Sequence, residues 1–156
     1  PKKSLLAAAL MLLPVVIAAI VSYWPSRNQP PPGPAIALLL PANAKGAPDV
    51  VDMAKTLPSL LSDHLQGVPG LQTKLAPATD MPGSADEFDR VADKYGASVL
   101  VLAALTGDSG LLQINLQVVE PHTRRVTWSN AFQSPRAQYS EMVRAAGEAL
   151  RRALVK

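Results

Sequence analysis

An uncharged apolar stretch near the N-terminus constrains the structure more than any other feature of the sequence. Residues 4–24 contain no Asp, Glu, Lys, Arg or His. At ~1.5 Å per residue, a helix of this length covers roughly the ~30 Å hydrocarbon core of a bilayer. Lipid cannot hydrogen-bond to the backbone, so a single span must be helical. The stretch therefore predicts a transmembrane helix.

The flanks of this stretch predict its orientation. Lys2 and Lys3 place residues 1–3 in the cytoplasm, because cytoplasmic flanks carry an excess of positive charge. We therefore expect a single-pass protein of the inner (cytoplasmic) membrane, whose later residues are periplasmic or extracellular. The residues that we expect to contact lipid or its interface are Leu5, Leu12, Pro14, Ile17, Tyr23 and Trp24.

A cleaved signal peptide is the alternative interpretation of the same stretch. It would make the mature chain a secreted periplasmic binding or accessory protein. The apolar run exceeds the ~7–15 residues typical of a signal peptide, and Ile20 stands where cleavage near Ser22 requires a small residue. The sequence begins at Pro1 rather than Met, so we also expect it to be part of a longer chain.

A proline-rich linker and a neutral domain follow. Residues 25–34 (PSRNQPPPGP) favour an extended polyproline II tether. Of the 15 Lys and Arg residues, only Lys2, Lys3 and Arg27 precede residue 35, and all 12 Asp and Glu residues follow it. Residues 35–156 therefore carry no net charge, which argues against nucleic acid as a partner. The sequence contains no cysteine, so it excludes disulfides and thiolate chemistry.

The hydrophobic pattern of residues 35–156 predicts an α/β domain. Continuous apolar runs at 35–40 and 98–106 indicate buried strands, and alternation at 71–75, 112–118 and 126–132 indicates further strands. We expect a loop at 41–48, a helix broken near Pro58, a helix capped by Ser84, and a last helix from about 137.

The predicted order is β-α-β-α-β-β-β-α. Right-handed crossovers and tight turns then give a mixed five-stranded sheet, with the strands in the order 2-1-3-4-5 and helices on both faces.

Several short motifs of the domain resemble the amino-terminal-like domain of TolB. These are LPAN at 40–43, GAPD at 46–49, VPGL at 68–71, ADKYG at 92–96 and VTWS at 126–129. Ala42 replaces the usual aromatic residue, and Pro58-Ser59 replaces an acidic pair that is common early in the first helix of the family.

The resemblance covers nearly all of residues 35–156 and carries implications for function. It implies a membrane-anchored bacterial signalling protein whose cytoplasmic part is a serine/threonine kinase, a winged-helix regulator or a nucleotide cyclase. The outer domain would then be a non-catalytic sensory or protein-interaction domain. We expect a protein partner or self-association, besides the lipid bilayer that contacts residues 4–24, and no cofactor.

One crevice of the predicted sheet is a candidate ligand or partner site. Open α/β sheets bind ligands at the carboxyl ends of neighbouring strands that leave in opposite directions. The loops that would border this crevice carry Asn43, Lys45, Thr106 and Asp108.

The sequence GDSG at 107–110 suggests a second function class, a serine hydrolase that uses Ser109. A serine nucleophile needs a histidine base within hydrogen-bond reach. Only His64 and His122 are present; His64 is predicted to lie in a helix, and His122 at the far end of the following strand. These four residues are also strong turn formers, so we expect a hairpin turn. No histidine or cysteine spacing predicts a metal site.

Overall fold

A six-stranded mixed sheet organises the chain in a computed structural model that describes residues 33–108 and 110–155. The strands are β1 (Ala35–Leu39), β2 (Asn43–Gly46), β3 (Leu71–Leu75), β4 (Val99–Gly107), β5 (Leu111–Val119) and β6 (Val126–Pro135). The helices are α1 (Pro48–Leu65), α2 (Ala85–Tyr95) and α3 (Tyr139–Leu154), and short 3-10 turns occupy Ala78–Asp80 and Arg136–Gln138.

The sheet confirms the predicted strand order and adds one strand to it. The order is β3-β1-β4-β5-β6, which is the predicted 2-1-3-4-5 in sequence order. β1 is parallel to β3 and to β4, whereas β4, β5 and β6 form an antiparallel meander. The apolar run of β1 lies between two parallel neighbours, so most of it is buried from both faces of the sheet.

The prediction of five strands and of a loop at 41–48 is wrong, because Asn43–Gly46 forms β2. β4 has 9 residues and β1 has 5, so β4 extends past the end of β1. β2 pairs in parallel with this extension, from Asn43 opposite Ala104 to Gly46 opposite Gly107. It therefore supplies partners for backbone groups that β1 cannot reach.

The close approach of the β2 and β4 backbones requires glycine at position 46. Its φ is +141°, a conformation that side chains disfavour. A Cβ atom on this residue would also overlap the carbonyl oxygen of Gly107. Only glycine allows the two backbones to approach this closely.

Two hydrophobic clusters cover opposite faces of the sheet. On one face, α1 and α3 pack on β4 and β5, with buried residues that include Leu57, Leu61, Leu105, Ile114 and Leu150. On the other face, α2 packs on Leu38, Leu40 and Leu100 through Val91 and Ala92. The helices therefore lie on both faces, as predicted.

The predicted break of the first helix near Pro58 does not occur. Pro58 lies buried inside the continuous helix α1, and Thr56 does not cap a second helix. Instead the Thr56 hydroxyl donates to the Met53 carbonyl oxygen at 2.9 Å, as a hydroxyl does in a helix interior. The buried side chains of Leu57, Leu61 and Leu65 offset the backbone hydrogen bond that proline removes.

The predicted membrane helix at 4–24, with its cytoplasmic flank at 1–3, and most of the linker at 25–34 lie outside the described residues. Among the residues that are described, no helix combines the length and the apolar character needed to cross a bilayer.

Candidate functional site

The structure brings together three of the four residues that the sequence predicts at a binding crevice. Asn43 and Lys45 lie in β2, and Lys45 is the register partner of Thr106 in β4. Leu105, between Thr106 and Ala104, is buried under α1 and α3. Because side chains alternate along a strand, Asn43, Lys45 and Thr106 lie on the opposite face of the sheet.

Asp108, the fourth predicted residue, lies in the hairpin turn between β4 and β5. Its Oδ1 atom accepts hydrogen bonds from the backbone N–H groups of Gly110 (2.8 Å) and Leu111 (2.9 Å). The bonds from Leu111 and Gly110 favour the ionised carboxylate and lower the pKa of Asp108. Its role in the structure is to hold the turn, which confirms the predicted hairpin.

A shallow groove remains at the carboxyl ends of β1 and β3. Its volume is about 540 Å³, and it is lined by β2 and by residues of α1 that include Val51, Lys55 and Ser59. Of the four predicted residues, only Asn43 lines it. The four predicted residues therefore do not share one crevice. Asn43 lines the groove, whereas Lys45 pairs with Thr106 outside it.

The end of the sheet that holds Lys45 and Thr106 is a broad polar surface, which we call the polar face. It consists of the residues of β2, β4, β5 and β6 whose strand neighbours point into the α1–α3 core. They are Asn43, Lys45, Ala104, Thr106, Gln113, Asn115, Gln117, Ser129, Ala131 and Gln133.

The register arranges these side chains in rows across the strands. One row runs from Lys45 through Thr106 and Gln113 to Gln133. Side chains that face each other on adjacent strands are ~5 Å apart, so such rows form a continuous contact surface. Helix α2 packs on the sheet only as far as Leu102, and no described helix covers the rows beyond it.

The chemistry of the polar face is that of neutral hydrogen-bonding groups. Lys45 is its single charged residue, and it has no carboxylate. The Gln113 Nε2 atom donates to Asn115 Oδ1 at 2.9 Å, and both side chains are half-buried. This bond orders the centre of the surface before anything binds to it. The arrangement can form hydrogen bonds with a neutral polar surface at little cost in side-chain entropy.

Charged residues cluster instead where α2 meets the turn between β5 and β6. Arg124 Nη2 lies 3.4 Å from Asp86 Oδ1 and 3.7 Å from Asp89 Oδ2. His122 lies 3.7 Å from Asp89 and 3.5 Å from Asp93. The three acidic residues all lie in α2. Their partners lie more than twenty-five positions along the chain, so helical spacing could not reveal the pairs.

A second polar cluster joins the short turn at Ala78–Asp80 to α2. Asp80 accepts hydrogen bonds from Lys94 and from the Tyr95 hydroxyl. The bonds from Lys94 and Tyr95 lower the pKa of Asp80. The same carboxylate raises the pKa of Lys94 and of Tyr95. Lys94 is exposed, and Asp80 and Tyr95 are half-buried, so the cluster fixes the turn against the helix at the edge of the packed region.

The histidines do not come near one another in the described structure. His64 packs against Gly147 where α1 meets α3, and His122 pairs with the acidic residues of α2. Ser109 lies outside the described residues. Within the described ranges, no group of three His, Cys, Asp or Glu side chains could hold a metal ion.

Comparisons with known proteins show the fold and not the function. No family model and no curated protein matches the chain. A single-residue variant of PelC from Paraburkholderia phytofirmans, solved as a dodecamer, is similar at 14% sequence identity with a TM-score of 0.57, over 82% of this chain and 96% of PelC. A homolog of neuraminyllactose-binding hemagglutinin from Helicobacter pylori is similar at 12% identity with a TM-score of 0.52, over 86% of this chain and 93% of that chain.

TolB from Acinetobacter baumannii is also among the similar structures. It matches at 12% identity with a TM-score of 0.49, over 80% of this chain and 28% of TolB, and that score supports no conclusion. The structure and the comparisons with PelC and the hemagglutinin homolog show a shared α/β fold. The closer resemblance to the TolB amino-terminal-like domain, and to a membrane-anchored signalling protein, stays a prediction.

Proposed function

We propose that residues 35–156 form a non-catalytic, extracytoplasmic interaction domain, which acts through its polar face. The observation that carries the proposal is that the polar face is ordered, nearly uncharged and uncovered by any described helix. A sheet face that only meets water usually carries charged side chains for solubility, and this face carries one. Depletion of charge is typical of the central part of protein–protein interfaces.

The anchor and the linker support the same proposal. The uncharged residues 4–24 would hold the chain in the inner membrane, and residues 25–34 would keep the domain clear of the bilayer surface. Confinement to a membrane raises the effective concentration of any partner in the same membrane. PelC shares the fold and was solved as a dodecamer, which supports self-association as one form of the contact.

Photo-crosslinking in cells that make the full-length chain tests the polar face. A photoreactive amino acid is placed at Gln117, which is exposed in the polar face, or at Ala145, which is exposed on α3. We expect protein adducts from position 117, with a second copy or with another protein, and none from position 145. Equal adducts from both positions, or none from 117, would contradict the proposal.

Alkaline carbonate washing of membranes tests the anchor separately. We expect the full-length chain to stay in the membrane pellet with its N-terminal residues intact. Release into the soluble fraction with a shortened N-terminus would favour the secreted form. Release with an intact N-terminus would contradict the membrane-spanning interpretation of residues 4–24.

A further inference from the structure

The two edges of the sheet differ in how they are protected against pairing with another strand. β3 forms one edge, and it is short, with 5 residues, one of which is Lys74. The Lys74 side chain donates to the Tyr95 carbonyl oxygen at 3.0 Å. Short length and an inserted lysine are features by which natural sheets prevent edge-to-edge association.

β6 forms the other edge and has none of these features along most of its length. It has 10 residues, pairs with β5 on one side, and meets no strand of the described chain on the other. The sequence VTWSNAFQSP contains no charged residue, and its one proline is the last residue. Ser129, Asn130, Ala131 and Gln133 are exposed.

The ladder between β5 and β6 determines which backbone groups face outward. The Arg136 N–H, directly after β6, donates to the Gly110 carbonyl oxygen, directly before β5, at 3.1 Å. In an antiparallel ladder every second residue bonds to the neighbouring strand. By this alternation, the N–H and C=O groups of Ser129, Ala131 and Gln133 point away from β5, towards the free edge. There the Ala131 N–H donates to the Asn130 Oδ1 atom of the same strand at 2.9 Å, a bond that pairing with another strand would replace.

We propose that β6 pairs with β6 of a second copy of this chain, antiparallel and about a two-fold axis near Ala131. Such pairing joins two six-stranded sheets into one and makes the two polar faces continuous. The inference deepens the proposed function, on which it rests, by naming one partner and the strand that contacts it.

The composition of β6 selects a second copy over a different protein. In a two-fold pair, each residue near the axis meets itself or a near neighbour from the other chain. A charge there would face a like charge, and β6 has none. The residues nearest the axis are uncharged (Asn130, Ala131, Phe132), and Phe132 packs against the α1–α3 core, so the two strands can approach without electrostatic conflict. A different protein is usually selected by complementary charge, which this strand does not offer.

Disulfide cross-linking of the 156-residue chain in detergent tests the pairing directly, because these residues include no cysteine. Single cysteines are introduced at Ser129, Asn130 or Ala131, and at Gln72 on the opposite edge as the control. Under a mild oxidant, we expect disulfide-linked dimers from the β6 position nearest the axis, where the two Cα atoms come within ~7 Å, and none above background from Q72C. No β6 cysteine that exceeds Q72C would overturn the proposal.

A charge-insertion variant provides the second measurement. Ala131 is exposed, so A131K leaves the core unchanged, and Q72K on β3 is the matched control. We expect A131K to raise the dimer dissociation constant at least about tenfold, because two lysines then face each other, and Q72K to leave it unchanged. A dimer that A131K does not weaken would overturn the β6 interface. If the Gln117 photo-crosslink to another protein persists in that case, the proposed function stands without it.

Discussion

Replacing Gly147 with alanine tests how closely α1 and α3 pack, because the structure places His64 directly against that glycine. A Cβ atom built on Gly147 would lie 2.5 Å from His64 Cγ, 2.6 Å from Cδ2 and 2.7 Å from Cβ. Carbon atoms in contact are normally ~3.5–4.0 Å apart. The overlap involves the root of the histidine side chain, so a rotation of the imidazole cannot relieve all of it.

Two effects of opposite sign determine the size of the change. Alanine in place of glycine inside a helix stabilises by about 1 kcal/mol. Forcing a methyl group into a packed contact costs about 1–3 kcal/mol. We therefore expect G147A to lower the free energy of unfolding by up to about 2 kcal/mol. In the H64A background the overlap is gone, so the same substitution is expected to stabilise by about 1 kcal/mol.

Urea denaturation of the four proteins of this double-mutant cycle, in the context of residues 34–156, measures the coupling. The expected coupling energy between the two positions is about 1–3 kcal/mol. Ala145, exposed on the same helix, is the control: A145G should cost about 1 kcal/mol in both backgrounds. If G147A stabilises the protein while His64 is present, the close contact of α1 and α3 does not exist.

Three further predictions concern single sites. G46A should lower the free energy of unfolding on the order of 3 kcal/mol, because it combines a strained φ with a clash against the facing backbone; an unchanged urea midpoint would refute this. The pKa of Asp80 is lowered by Lys94 and Tyr95, so its contribution is present above the ordinary aspartate pKa of about 4 and is lost as pH falls towards the lower folded-state value. The D80N variant should therefore lose less stability than the natural protein between pH 5 and pH 3, and equal losses would count against the cluster. The hydroxyl oxygen of Tyr139 is buried without a hydrogen-bond partner in the described structure, so Y139F should stabilise by about 1 kcal/mol, and a clear loss in thermal unfolding would show a missed partner.

The order β3-β1-β4-β5-β6 could be predicted because each of these five strands carries its own sequence pattern. The apolar run of β1 and the alternation of β5 are local patterns, and right-handed crossovers then leave few topologies. β2 carries no such signal. Its sequence NAKG has the composition of a loop, and it is a strand only because β4 extends past β1 and needs a partner there.

Helix α1 also shows that local sequence patterns do not determine the structure alone, because here a predicted break is absent. By local rules, Pro58 predicts a break in the helix, but it lies inside a continuous helix. The burial of Leu57 and Leu61 against the sheet, which is a tertiary effect, overrides the local cost. Local sequence rules cannot include contacts between residues that are distant in the chain.

The sequence predicts the two parts of the candidate site but not that they form one surface. The alternation of Gln113, Asn115 and Gln117 with apolar residues predicts a wet strand face, and Asn43, Lys45 and Thr106 were selected by topology. The cross-strand register unites these two sets, and that register depends on β2 and on a bulge near Val118. Neither feature has a distinct local pattern, so the polar face as one surface could be found only in the structure.

Labelling of single cysteines in intact cells tests the central claim, that the domain lies outside the cytoplasmic membrane with its polar face in contact with a protein. The 156-residue chain carries Q117C or A145C as its one thiol, and the maleimide reagent cannot cross that membrane. We expect A145C to react rapidly and Q117C slowly in cells, and both to react rapidly in the purified monomer. Equal rates in cells would show that the polar face is free, and no labelling of either before lysis would place the domain inside.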